Sequence, residues 1–394
     1  MKETIKTILR EGLIREERIK FDIPIPEDII KIKDAFKKNG HKLYVVGGAV
    51  RDALLGKTPK DYDLATDAVP DKVEEMMKKT GFKTLPTGKA FGVINVFTNE
   101  GEYEIATFRN DVGTDGRRPD SVTFTNIEGD VKRRDLTINA LFYDIDTHEI
   151  VDLVGGVQDL KNGVVRTVGA PEDRFGEDRL RILRAIRFAA RFGNELDPAV
   201  DAALQKDASL DKISGERIRD EFLKGIKSAK SQQQFFEMLD KYKLFDWIFR
   251  GLNVDRQFIH NLRGYNNDDY IVVLASLLKN NNLDVLRKKL NELKYSVEEV
   301  KAISFLIAML KLDVDTAVTL KKAEQHAGVS QDQIRNFCGK QGVSSQLLDA
   351  FEKFRLTVSG PEMMDKTGLK PGKELGQAIQ QAETENFQKL LGHA

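Results

Sequence analysis

Through the first third of the chain, apolar residues come in short β-rich runs separated by turn-forming residues. LYVVGG from Leu43, DYDLAT from Asp61, FGVINVFT from Phe91, YEIATFR from Tyr103, SVTFTN from Ser121 and LFYDIDTHEIVDL from Leu141 each predict strands. Between them, AVRDALLG from Ala49 and PDKVEEMMKKTGF from Pro70 carry helix-like patterns. Past about Asp159 the strand signals stop. From Pro171 onward, apolar residues recur at three- and four-residue spacing, beginning with RFGEDRLRILRAIRFAARFG and then SGERIRDEFLKGI, where a Ser cap precedes Glu216. The pattern predicts an α/β head followed by an all-α remainder, with no internal repeat and no low-complexity tract.

Composition changes this picture little. A chain of 394 residues can bury enough apolar surface to fold without a disulfide or metal staple, and its single cysteine, Cys338, reads as a core thiol. Lys and Arg total 62, as do Asp and Glu, so net charge is zero and any polyanion must be bound by local patches. No apolar run has the length of a membrane span, and MKETIKTILREGLIREERIK lacks the apolar core of a signal peptide. A soluble, untargeted cytoplasmic protein is expected. The five His residues form no ligand cluster in sequence; His41 and His148 are expected at strand edges.

The sharpest constellation is Gly47-Gly48 after an apolar strand, a helix from Ala49, and Asp61-Tyr62-Asp63 opening a second strand. Strand alternation puts Asp61 and Asp63 on one side, about 7 Å apart at the backbone. Mg²⁺ takes oxygen ligands and keeps positions for water or phosphate, so this pair plus a triphosphate suits it. The glycines allow backbone N–H groups close to phosphate, and the helix adds its positive end, with Arg51 one turn in. Gly-Gly and Asp-x-Asp in this order, with this spacing, resemble the signature of the DNA polymerase β-like nucleotidyltransferase superfamily. That resemblance implies a third carboxylate on a neighbouring strand. Glu104 is the candidate, because Tyr103 and Ile105 would face the core; Glu102, on the same strand face, is the alternative.

Four ordered motifs narrow the resemblance. They are GGAVRDALLGKTPKDYDLAT at 47–66, RRDLTINAL at 133–141, EDRLRILRAIRF at 177–188 and SGERIRDE at 214–221. Together they resemble the class II tRNA nucleotidyltransferases of the CCA-adding type, in the poly(A) polymerase family. The resemblance implies a polymerase β-like mixed-sheet head at 21–160 behind an N-terminal helical extension at 1–20. It further implies a helical neck at 161–227, a body at 228–310 and a tail at 311–394. The implied activity is untemplated addition of CMP, CMP and AMP, from CTP and ATP, to the 3′ end of tRNA. Two Mg²⁺ ions held by Asp61 and Asp63 would assist in-line attack and pyrophosphate release.

The same resemblance assigns Asp135 to the ribose 2′-hydroxyl, Arg134 (or Arg133 in its place) to the phosphates, and Asn139 to holding the loop. It makes 177–188 the template for the base. If that segment is one helix, Asp178, Arg181, Arg184 and Arg187 recur every three residues along one flank. Asp accepts hydrogen bonds and Arg donates them, so Asp178 and Arg181 can pair with the amino donor and ring-nitrogen acceptor that cytosine and adenine share. Guanine and uracil present the reverse order, which leaves groups unpaired at about 1–3 kcal/mol each.

RNDVGTDGRRPD, 109–120, is expected to be a mobile loop resembling the one in CCA- and A-adding members. TGKAFGVINV from Thr87 keeps an A-adding enzyme or a poly(A) polymerase as the alternative, and an inactive RNA-binding module is a remote one. No His-Asp dipeptide occurs, which discounts an HD phosphohydrolase appendage. The amphipathic helices beyond Ser228 suit a cradle for the acceptor and TΨC arms of tRNA. No membrane or protein partner is implied.

Overall fold

The computed structural model describes residues 16–113, 120–260, 262 and 269–392. It divides into two compact units, 1–213 with 229–231, and 214–228 with 232–394. The helix Gly215–Ser228, which the sequence reading grouped with the neck, therefore belongs to the second unit.

The first unit is built on a mixed eight-stranded sheet in the order β1-β10-β9-β2-β3-β6-β5-β4. In chain order these are β1 (Glu17–Lys20), β2 (Leu43–Val46), β3 (Asp63–Thr66), β4 (Lys83–Gly88), β5 (Val93–Phe97) and β6 (Glu102–Thr107). A separate hairpin, β7 (Arg109–Val112) with β8 (Ser121–Phe124), precedes β9 (Leu141–Asp144) and β10 (Glu149–Asp152). Among these strands only β3 and β6 pair in parallel, Leu64 opposite Ile105.

Alternation sorts the sheet's two faces. Leu43, Val45, Leu64, Ile105 and Tyr143 enter one apolar cluster with Ile29, Ile32 and Phe36 of the helix Glu27–Lys38 and Val73, Met76 and Met77 of the helix Pro70–Thr80. Tyr44, Val46, Ala65 and Phe142 enter a smaller cluster on the opposite face with Phe108 and Val131. The first cluster backs the sheet; the second leaves part of its face for chemistry.

Several expectations are corrected here. Residues 17–20 form an edge strand against β10, not a helical extension; 1–15 lie outside the described residues. Residues 109–112 and 121–124 are paired strands, so only 114–119 of the expected loop lies outside the described residues. Two-residue strands, β11 (Val164–Val165) and β12 (Glu195–Leu196), pair beyond the point where strand signals stop.

The second unit is helical, as expected. QFFEMLDKYKLFDWIFRGL forms two helices, Gln232–Lys241 and Leu244–Ile248, parted by Lys243 at φ 56°. The stretch from Asn281 likewise breaks into Leu283–Glu292 and Val297–Ala308, the latter opened by a Ser296–Glu299 capping box. Cys338 is buried and its thiol is pushed up to about 12 by loss of water, so it is an inert core group. Among the described residues no helix is long and apolar enough to cross a membrane.

Candidate active site

The carboxylates gather on the face of the sheet opposite the Glu27–Lys38 and Pro70–Thr80 helices. β3 begins at Asp63, so Asp61 precedes the strand instead of lying within it. Because Leu64 stands beside Ile105 in the parallel ladder, the preceding residues, Asp63 and Glu104, are neighbours across adjacent strands. Both side chains keep a solvent-facing side. Water stripped by the surrounding protein pushes the Asp63 carboxyl above its ordinary value; Asp61 adds to the push and Arg134 opposes it. Glu104 is raised by the same loss of water and then by Asp63. Glu102 accepts from Asn95 Nδ2 at 3.0 Å, one β-repeat further from Asp63.

Among the described residues no three His, Cys, Asp or Glu side chains come together closely enough to hold a metal. Asp61's charge acts on Asp63, and the two carboxylates supply hard oxygen donors, which fits a divalent cation completed by water and phosphate oxygens. Glu104, the expected third carboxylate, lies across the ladder from Asp63, whose charge raises it.

The glycine turn and RRDLTINAL meet over this pair. Gly47 sits at φ 67°, ψ −116°, a backbone region that side chains disfavour, and donates its N–H to Leu141 O at 2.9 Å. A Cβ there would lie 3.6 Å from Arg134 Nη1. The helix Gly48–Leu54 follows. Its Arg51 is buried and stacks over Phe188 and Phe192 at 5.0 and 5.3 Å. Arg51 also donates to Asp52 and Asn139. Its guanidinium thus braces the turn from behind.

Asn139 ties the motif together, accepting from Arg51, donating to Asp135 Oδ1 at 3.3 Å, and offering its carbonyl to Arg134 Nη1 at 3.3 Å. Asp130, a residue the sequence reading missed, accepts from Arg133 Nε at 2.8 Å and from Arg134 Nε and Nη2 at 3.1 and 3.0 Å. Burial resists its charge, but the two arginines prevail and hold its carboxyl below the usual range. The signal was present: Asp three and four residues before two Arg on one helical turn. Asp135 behaves likewise. Burial opposes ionisation, Arg184 outweighs it, and the carboxyl is depressed.

The expected template helix is interrupted. Pro171–Glu177 and Leu180–Phe192 are separate helices, with Asp178 extended between them at φ −150°. The Asp178 carboxylate accepts the Leu180 N–H at 3.0 Å, opening the second helix and placing Asp178 off the stripe. Arg181 donates to Glu177 Oε2 at 2.6 Å and to Arg133 O at 2.9 Å, which seats the start of this helix against RRDLTINAL. Arg184 reaches Asp135, whereas Arg187 is buried with its guanidinium 4.2 Å from the Phe188 ring centre. The four side chains expected on one flank therefore divide: Asp178 and Arg181 at the helix start, Arg184 on the Asp135 carboxylate, Arg187 inside.

Comparison with known proteins finds relatives along nearly the whole chain. Residues 43–166 match the family described as Poly A polymerase head domain, and 194–255 match the Probable RNA and SrmB- binding site of polymerase A. A CCA-adding enzyme of Ligilactobacillus salivarius is 32% identical over 92% of this chain and 93% of its own. One from Bacillus subtilis is 45% identical over 49% of this chain and 48% of its own. Among solved structures, the Bacillus stearothermophilus CCA-adding enzyme in complex with CTP shares the fold at TM-score 0.66 and 24% identity, covering 93% of this chain and 97% of that one. A Thermotoga maritima CCA-adding enzyme complexed with tRNA gives TM-score 0.66 at 22% identity over 95% of each. With a carboxylate pair, a glycine turn and an RRD loop converging in a matching head, and identity sustained along nearly the whole of a relative, this chain belongs to the CCA-adding enzyme family of nucleotidyltransferases.

Proposed function

We propose that this chain completes the 3′ end of tRNA by untemplated addition of CMP, CMP and AMP from CTP and ATP, releasing pyrophosphate. The observation that carries the reading is that Asp63, with Asp61 beside it, lies close enough to Arg134 of RRDLTINAL to feel its charge, while the next residue, Asp135, is held by Arg184 of the following helix, so candidate groups for metal, phosphate and ribose adjoin. Asp61 and Asp63 would hold two Mg²⁺ ions, which supply Lewis-acid activation of the RNA 3′-hydroxyl and charge neutralisation at the leaving pyrophosphate. The Gly47-Gly48 turn and Arg134 receive the triphosphate, with Arg51 bracing the turn and Arg133 beside Arg134. Asp135 accepts from the ribose 2′-hydroxyl, and Asp178 with Arg181 reads the base edge that cytosine and adenine share. Arg184 holds Asp135 ionised for its task. The helical second unit binds tRNA through its acceptor and TΨC arms, in the cytoplasm.

The deciding experiment incubates the protein with tRNA lacking its terminal CCA and labelled CTP and ATP, and reads product length. An extension of CCA requiring both nucleotides supports the reading. A single added A would indicate an A-adding enzyme, and a long A ladder a poly(A) polymerase.

A further inference from the structure

RRDLTINAL is gripped from behind by a segment outside the four motifs. The helix Gly156–Asn162 and the stretch Arg166–Val168 close on it from two sides. Thr137, 2% exposed, donates its hydroxyl to Asp159 Oδ2 at 2.6 Å, and Asp159, 4% exposed, accepts from Arg166 Nη2 at 2.9 Å through its other oxygen. The backbone repeats the grip: Thr137 N donates to Arg166 O at 3.0 Å, and Val168 N donates to Asp135 O at 3.1 Å. Leu136 and Thr167 form an antiparallel bridge between them. At Gly156 the approach is so close that a Cβ would lie 2.2 Å from Thr137 O. Loss of water pushes the Asp159 carboxyl upward, so an ionised Asp159 depends on the donors that face it.

Asp135 and Asn139 lie two residues to either side of Thr137 and are joined to each other by a hydrogen bond. From this geometry we infer that the Gly156–Thr137–Asp159 clamp is a positioning device for nucleotide selection: it fixes the loop that presents Asp135 to the ribose, without touching the nucleotide. The inference rests on the proposed role of Asp135 in recognising a 2′-hydroxyl. It assigns Thr137, Gly156 and Asp159 a part in discriminating ribonucleotides from 2′-deoxynucleotides.

Thr137→Val removes the hydroxyl and keeps the shape; Thr137→Ser keeps the hydroxyl. Gly156→Ala pushes on the Thr137 carbonyl and leaves every polar group in place. Each is assayed for KM and kcat with CTP and with 2′-deoxy-CTP on tRNA lacking CCA, beside a thermal melt. The expected result is a rise of about tenfold in KM for CTP and an erosion of CTP over dCTP preference by a similar factor in Thr137→Val. Gly156→Ala should move in the same direction, and Thr137→Ser should restore preference. Equal loss on both nucleotides, tracking only a lowered melting temperature, would overturn the inference by reducing the clamp to a packing role. So would unchanged preference in well-folded Thr137→Val and Gly156→Ala. Failure of the parent protein to extend tRNA, or to prefer CTP over dCTP at all, would instead overturn the reading on which the inference rests.

Discussion

Arg184 closes on Asp135 with two donors, Nε at 2.7 Å and Nη2 at 2.6 Å, both to the same carboxylate oxygen. The pair joins the helix Leu180–Phe192 to the loop after the Ile127–Lys132 helix, so the elements proposed to read base and ribose share one electrostatic bond. Arg184→Met should cost about 2 kcal/mol, because it strips a charged donor from a buried carboxylate. The sign with pH follows from the depressed Asp135 carboxyl. Its contribution to stability is present above the unfolded aspartate pKa and fades as pH falls through the lower folded value. Denaturant melts across the acid range should show that fading in the parent protein and less of it in Arg184→Met.

Asp63 should titrate above a free aspartate, since loss of water and Asp61 both disfavour its charge. Asp61→Asn removes the like charge and should lower the Asp63 pKa. Arg134→Met removes the opposing cation and should raise it. Carboxyl ¹³C NMR of the metal-free protein measures both. A shift of Asp63 in the same direction in both variants would contradict the arrangement.

Asp61→Ala and Asp63→Ala should each reduce CMP incorporation below detection while leaving tRNA binding largely intact, because neither carboxylate belongs to the helical unit proposed to hold the RNA. Activity lost to a chelator should return with Mg²⁺ in the parent protein and in neither variant. Substantial extension by the double variant would end the metal proposal.

Much of the head was legible because strand alternation and core placement are one fact: Leu43 and Val45 face one cluster, Tyr44 and Val46 the other. What escaped had specific physical causes. β4 contains Pro86 and Gly88, both poor strand formers, and survives as the sheet's edge, where a missing N–H harms nothing. β1 lies in the charged EERIK and owes its extended form to β10, a partner far along the chain. The break at Asp178 is announced only by Gly176 two residues earlier, and a lone glycine in a helical pattern is too weak a signal to place it. A side chain captured the backbone N–H of Leu180 there, and spacing alone cannot register that competition. Asp130 was visible in pattern but was passed over, because two arginines beside an aspartate read equally well as a solvated helix end.

Gly47 should tolerate no side chain. At φ 67° and ψ −116° an alanine is strained by about 1–3 kcal/mol. Its Cβ would also stand 3.5 Å from Asn139 O and 3.6 Å from Arg134 Nη1, ordinary contacts that by themselves need no shift. Gly47→Ala is therefore expected to lower the melting temperature and to raise KM for CTP and ATP alike. The glycine turn is proposed to serve the triphosphate, which both nucleotides share, so a selective effect on one nucleotide would argue against that assignment.

Base choice should respond differently. Arg181 donates to Glu177 and to the Arg133 carbonyl, so its guanidinium is held at the start of its helix, next to the extended Asp178. Arg181→Ala removes the donor proposed to pair with the ring-nitrogen acceptor of cytosine and adenine. It should cost CTP and ATP about 1–3 kcal/mol of binding each, while UTP and GTP, which never had that pairing, lose less. Discrimination against UTP and GTP should then fall by one to two orders of magnitude, read from single-turnover incorporation of each nucleotide. Glu177→Gln provides the contrast. It weakens the hold on Arg181 but keeps the donor, so it should slow addition without admitting UTP or GTP. Unchanged discrimination in Arg181→Ala would move base reading away from Asp178 and Arg181 altogether.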